Sequence, residues 1–305
     1  MAPATPRSRG FAPPLLTVTL LLAAAFAAGG GCAAAAQEAA DGPVSRGEYI
    51  LRAAGCVACH SRSKEEEAFL AGGPALKTPF GTFYAPNITP DPEHGIGAWS
   101  EGDFRRALRH GQAPDGAAYY PAFPYPAYSG MTDSDVGDLW AYLRTVPPGP
   151  RADRPHELGF PFDLRVLNRV WQWLYFAPRR FAPDPERDEA WNRGAYLVRH
   201  LGHCAECHSP RGWLGALDPA RELAGNPEGP DGKKVPNITP HREYGIGGWS
   251  ETDLAFFFKT GFLPDGDVAG GAMEDVIRES TSKLTDQDRT ALAAYLMALP
   301  PLALE

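Results

Sequence analysis

The chain has 305 residues, with 29 Lys and Arg against 37 Asp and Glu, for a formal net charge of −8 at pH 7. That balance disfavours nucleic acid as a partner, because binding a phosphate backbone needs a surplus of cations. The length suits two domains of ordinary size, and a hydrophobic share of 44% excludes a wholly disordered chain.

The first stretch reads as a targeting segment. Arg7 and Arg9 precede an apolar run at 15–28, and Ala34-Ala35-Ala36 offers a cleavage site before Gln37. This is the pattern of a secretory signal peptide over residues 1–36, and it predicts a periplasmic protein. The alternative, an uncleaved anchor, is disfavoured because the run is short for a span. Cys32 is expected to leave with the signal, since Gly29-Gly30-Gly31 before it is a poor lipoprotein signal. Removal takes two basic residues and leaves 27 against 37 acidic, a net charge of −10.

Residues 37–150 form the first predicted domain. A helix is expected over 45–55 with Ser45 as N-cap, followed by CVACH at 56–60. After the loop Asn87-Ile88-Thr89-Pro90, Ser100 and Asp103 have the spacing of a capping box. The closing helix begins at Thr132, with Val136, Leu139, Trp140 and Leu143 on one apolar face.

Residues 151–190 read as a connector, Pro-rich at both ends with an aromatic helix at about 163–176. Arg165, Asn168, Arg169 and Gln172 interrupt that helix, so it does not span a membrane. It either packs between domains or offers a docking face for a partner protein or, as peripheral membrane association, a lipid surface.

Residues 191–305 repeat the first domain. From Asn87 to Gly116, set against Asn237 to Gly266, 16 of 30 positions are identical. CAECH at 204–208 answers CVACH, a helix over 192–202 with Asn192 as N-cap answers 45–55, and Ser250 with Asp253 answers the capping box. Leu292, Tyr295, Leu296 and Leu299 answer the closing face. There is little sign of a sheet. The expected fold is all-α: two tandem domains of the class I cytochrome c layout, joined by the connector.

C-x-x-C-H is the attachment sequence of c-type haem. Two thiols bond to the haem vinyl groups, and the next residue, His, reaches the iron. Two copies in duplicated domains outweigh the zinc and disulfide alternatives, because the repeats share no further Cys or His. Cys56, Cys59 and His60 are therefore expected to hold one haem, and Cys204, Cys207 and His208 a second. Asn87, Trp99, Asn237 and Trp249, kept in both copies, are candidates for hydrogen bonds to haem propionates; the alternative is a turn motif with Trp in the core.

With these motifs, and with FGTFYAPNITPDPEHGIGAWSEGDFRRALRHG, FPFDLRVLNRVW and WNRGAYLVRHLGHCAECHSPRGWLGA, the chain resembles dihaem c-type cytochromes. Among them it is similar to the cytochrome subunits of membrane-bound bacterial alcohol and gluconate dehydrogenases. The resemblance covers about residues 45–300. It implies an electron carrier without a catalytic site of its own, fed by a periplasmic dehydrogenase and delivering to a terminal oxidase or another cytochrome. The resembled subunits usually carry a third haem domain; two haem motifs stand here.

A Met opposite the His raises the haem potential and closes the iron. Met273, on the loop GGAMEDV, is the expected sixth ligand of the second haem, as relatives with a GGxM loop imply, and Met297 reads as core. In the first copy the resembled cytochromes have Met where this chain has Phe123. Met131 is the preferred substitute, and His94, His110, water or an open site are the alternatives. An open first haem would instead suit a haem enzyme or sensor, peroxidase-like in outline, with the second haem as relay.

Overall fold

The computed structural model describes Met1, residues 42–62 and residues 69–303. The chain divides into two compact units, Met1–Gly42 and Pro43–Glu305, and every element named below belongs to the second. The predicted export segment, with Arg7, Arg9 and Cys32, lies outside the described residues.

Each half is built on a crossed helix pair. In the first half, α1 (Pro43–Ala53) packs on α5 (Asp133–Leu143), with the motif helix α2 (Cys56–His60), α3 (Glu101–His110) and the short α4 (Tyr125–Tyr128) between them. In the second, α7 (Glu189–Tyr196) packs on α11 (Asp286–Met297), with α8 (Ala205–His208), α9 (Glu251–Thr260) and α10 (Ala272–Glu279) between them. The crossings are close because glycine sits at both. A Cβ on Gly47 would stand 1.9 Å from the Asp138 carbonyl oxygen, and one on Gly194 would stand 2.1 Å from that of Ala291.

The predicted capping boxes form. Ser100 Oγ accepts from Asp103 N at 3.1 Å while Asp103 Oδ2 accepts from Ser100 N at 2.9 Å, and Ser250 with Asp253 repeats both distances. Thr132 and Thr285 cap α5 and α11 in the same manner, through Asp135 N and Asp288 N. Gly111 and Gly261, both left-handed, stop α3 and α9.

Two predicted caps are corrected. Ser45 lies inside α1, which starts at Pro43. Asn192 lies inside α7, whose cap is Asp188, accepting from Trp191 N at 2.8 Å. The Asn192 amide instead folds back to the Asp184 carbonyl at 2.9 Å. The second half is also one residue longer here, since LVRHLGHCAECH aligns with ILRAAGCVACH only if His203 is inserted. The helix absorbs it as a π turn over Leu197–Leu201, and His203 takes a left-handed φ of 40°.

The all-α expectation is corrected as well. A small antiparallel sheet runs β1 (Ala75–Thr78), β2 (Gly81–Tyr84), β3 (Glu157–Leu158), with Ala75 paired to Tyr84 and Thr82 to Glu157. These strands are four residues or shorter. That is too short for an alternating pattern to be read from sequence, and β3 comes from the connector, 73 positions beyond its hydrogen-bonded partner Tyr84.

The connector helix is α6 (Leu167–Tyr175), shorter than the predicted 163–176. Its polarity is inverted. Asn168 and Gln172 are buried, and Gln172 Nε2 donates to the Gly111 carbonyl at 3.1 Å, while Val170, Trp173 and Leu174 face outward. No helix of the described residues is long and apolar enough to cross a membrane.

Candidate haem sites

The two C-x-x-C-H motifs each occupy a single helical turn, α2 and α8 with Cys204 as the N-cap of α8. In each, a carbonyl aims the histidine. His60 Nδ1 lies 2.7 Å from the Pro86 oxygen, and His208 Nδ1 lies 2.8 Å from the Pro236 oxygen. A carbonyl only accepts, so Nδ1 carries the proton and Nε2 keeps its lone pair for a metal. Burial lowers both histidine pKa values, which favours the neutral ring a metal needs.

The four motif cysteines are free thiols, with no disulfide among the described residues. Burial first, and the neighbouring Cys59 second, push the Cys56 thiol up to about 12; burial and Cys207 do the same to Cys204. Among the described residues no group of three or more His, Cys, Asp and Glu is placed to hold a bare metal ion, which argues against the zinc alternative. Matched apolar side chains of the two halves are only partly buried where they pack against the core: Ile88 and Ile238, Trp99 and Trp249, Phe123 and Met273. Paired thiols, an aimed imidazole and a half-covered apolar lining fit a large flat macrocycle attached along one edge. The residues present therefore fit haem c.

The cytochrome c family model matches residues 44–147 and again 192–300, each segment carrying one motif. The chain belongs to the cytochrome c family. A relative described as a dihaem cytochrome c-type protein of Cereibacter sphaeroides is 48% identical over 86% of this chain and 87% of its own length. The fructose dehydrogenase cytochrome subunit of Gluconobacter japonicus is 41% identical over 85% of this chain, and the gluconate 2-dehydrogenase cytochrome c subunit of Pantoea cypripedii 41% over 86%. The chain spans 53% and 60% of the length of those two subunits.

Within this cytochrome c, the repeated Asn-Ile-Thr-Pro line is a clamp. Asn87 Nδ2 donates to the Gly149 carbonyl at 2.7 Å and to that of Arg151 at 3.0 Å. Its Oδ1 accepts from Thr89 N and Oγ1, and Thr89 Oγ1 accepts from Gly149 N at 3.0 Å. The second copy holds the chain after Pro300-Pro301 in the same way: Asn237 Nδ2 donates to the Leu302 carbonyl at 2.6 Å, and Leu302 N donates to Thr239 Oγ1 at 3.1 Å. Both amide protons of Asn87 are thus directed at backbone, which corrects its expected role as a propionate donor. Asn237 Nδ2 makes one such donation, to Leu302, and its candidate role stands. Trp99 and Trp249 are partly buried against the core and keep that candidate role.

The predicted iron ligands divide. Met273 sits at the second position of α10 rather than on a loop, partly buried against the core. Met297 ends α11 and packs on the core. Met131 is 0% exposed, within the hydrophobic core.

The structure adds residues that sequence reading did not select. The Tyr128 hydroxyl donates to the Ala54 carbonyl, two residues before Cys56, at 2.6 Å. Its ring meets that of His203, just before Cys204, edge to face with centroids 5.4 Å apart. One aromatic pair therefore separates the two motifs. No local pattern marks Tyr128. Pro86 and Pro236 do carry a signal, since each immediately precedes a repeated Asn.

Proposed function

We propose that the chain is an exported dihaem cytochrome c that carries electrons, one haem in each half, from a periplasmic dehydrogenase subunit towards a terminal oxidase or another cytochrome. Bound haem supplies a one-electron iron couple; the chain supplies its attachment and surroundings. Cys56, Cys59 and His60 hold one group, and Cys204, Cys207 and His208 the other. The observation that carries this reading is the Tyr128–His203 pair, with which the fold brings the two motifs together. Electron tunnelling falls off exponentially with distance, so adjacent sites make a two-step path. The relatives' names, cytochrome subunits of fructose and gluconate dehydrogenases, support a sugar or sugar-acid dehydrogenase as donor. A second reading, a haem enzyme or sensor, has the Phe123–Met273 mismatch in its favour.

The test uses protein matured in an exporting host. Denatured in alkaline pyridine, it should show two haems per chain, and one after Cys204→Ala/Cys207→Ala. Mixed with the catalytic subunit of a fructose or gluconate dehydrogenase and its substrate, both haems should reduce within a turnover. Failure of every such donor to reduce either haem would end the donor assignment.

A further inference from the structure

The loops after α3 and α9 follow one path. Ala113 N donates to Ala117 O at 2.9 Å and Leu263 N to Asp267 O at 2.8 Å; Tyr119 N donates to Gly111 O and Ala269 N to Gly261 O, both at 2.8 Å. The bridges Gln112–Ala118 and Phe262–Val268 match as well. With the 150-residue offset held to that point, Phe123 falls opposite Met273 four residues on. Both are partly buried against the core. A thioether has a lone pair for iron and a phenyl ring has none.

Among the described residues, none of the Met and His side chains of the first half replaces it. Met131 is fully enclosed by protein, and its peptide is pinned at both ends: Met131 N donates to Tyr128 O at 3.0 Å and Arg109 Nη1 donates to Met131 O at 2.8 Å. His94 lies in a turn closed by Asp91, its ring 4.0 Å from Glu93. His110 is exposed at the end of α3. His156 accepts from Tyr84 N at 3.2 Å and packs on Phe83 and Tyr120. Around Phe123 stand Tyr119, Tyr125 and Tyr128, with ring centroids 5.5, 6.1 and 5.9 Å away.

Resting on the reading that Cys56, Cys59 and His60 hold a haem, we propose that this first haem receives none of these side chains as sixth ligand and binds a small neutral diatomic molecule: carbon monoxide, nitric oxide or dioxygen. The aromatic surroundings favour a neutral ligand, because rings offer an anion little compensation for lost hydration. Binding is addition of the ligand's lone pair to ferrous iron, with nothing displaced from the protein. The second haem, with Met273 available, stays closed.

The experiment is a carbon monoxide titration of the fully reduced dihaem protein, followed in the Soret band. Half of the haem should respond. Met273→Ala should raise the responding share from half to all, which assigns the wild-type signal to the first haem. Phe123→Met should suppress the wild-type response and add a second thioether–iron absorption band to the oxidised protein. Met131→Leu should leave the response at half. The proposal is overturned by no response in the wild type, by a response of all its haem, or by a Met273→Ala response still at half. The alkaline pyridine count separates the two levels: fewer than two haems per chain would sink the haem assignment itself, whatever carbon monoxide does.

Discussion

The Tyr49 hydroxyl, in the first helix of the first half, donates to Asp288 Oδ2, at the start of the closing helix of the second half, at 2.6 Å. The relationship is reciprocal: Tyr196, the repeat counterpart of Tyr49, donates to Asp135, the counterpart of Asp288. Each tyrosine also accepts from the backbone of the capping threonine, Thr285 N to Tyr49 at 3.1 Å and Thr132 N to Tyr196 at 3.0 Å. Each half therefore completes a helix cap of the other. The contact orients the motif helices, because α1 leads directly into α2 and α7 into α8.

Tyr49→Phe and Tyr196→Phe should each lower stability by about 1–2 kcal/mol, the range for a hydrogen bond to a charged group. Thermal unfolding followed by circular dichroism reads this. In the double variant the halves should reorient, and exchange between the two haems should slow while each haem keeps its own spectrum. Unchanged melting in both single variants would remove the interlock as a stabilising contact.

Stability should fall in acid through Asp288. Burial alone would raise its carboxyl, but the Arg193 guanidinium and the Tyr49 hydroxyl outweigh burial and hold it below the usual value. A carboxyl depressed in the folded state contributes fully above its unfolded pKa of about 3.9 and loses that contribution as pH falls through the folded value. The melting temperature should therefore drop below about pH 4, and Asp288→Asn, already weakened at neutral pH, should drop less over the same interval. Parallel curves for the two proteins would contradict this.

Asn87→Ala should destabilise by about 1–3 kcal/mol, because it strips the Gly149 and Arg151 carbonyls of their donor. The potential of the first haem should not move. If the Trp99 indole donates to a propionate, Trp99→Phe should do the opposite, leaving stability nearly intact and lowering that potential, since the propionate's negative charge would lose a compensating donor. Spectroelectrochemistry of both variants checks the separation of roles.

Gly47→Ala and Gly194→Ala should each cost about 1–3 kcal/mol or more, the range for overpacking a tight contact. The obstructing atoms are backbone carbonyls on the facing helix, which cannot rotate away. The yield of covalent haem in the affected half should fall with stability. Full haem content and unchanged melting would show that the helices can separate at little cost.

The local features were legible in the amino-acid order. The duplicated C-x-x-C-H motifs, the Ser-x-x-Asp boxes and the apolar faces of the closing helices each depend on neighbours a few residues apart, and a signal of that range survives in sequence. Features that join distant segments did not. Tyr49 meets Asp288 across 239 positions, and Asn87 reaches Gly149 across 62. The sequence identified Asn87 as a repeated polar residue; only the path of the chain after α5 decided that its amide would clamp backbone. Met131 was the free thioether in sequence, and burial in the hydrophobic core enclosed it. By itself the sequence determined which atoms could hold two haems. Tertiary structure decided how the two motifs are brought together across the Tyr128–His203 pair and that Met131 is enclosed. Those outcomes depend on where whole helices come to rest, which no local pattern encodes.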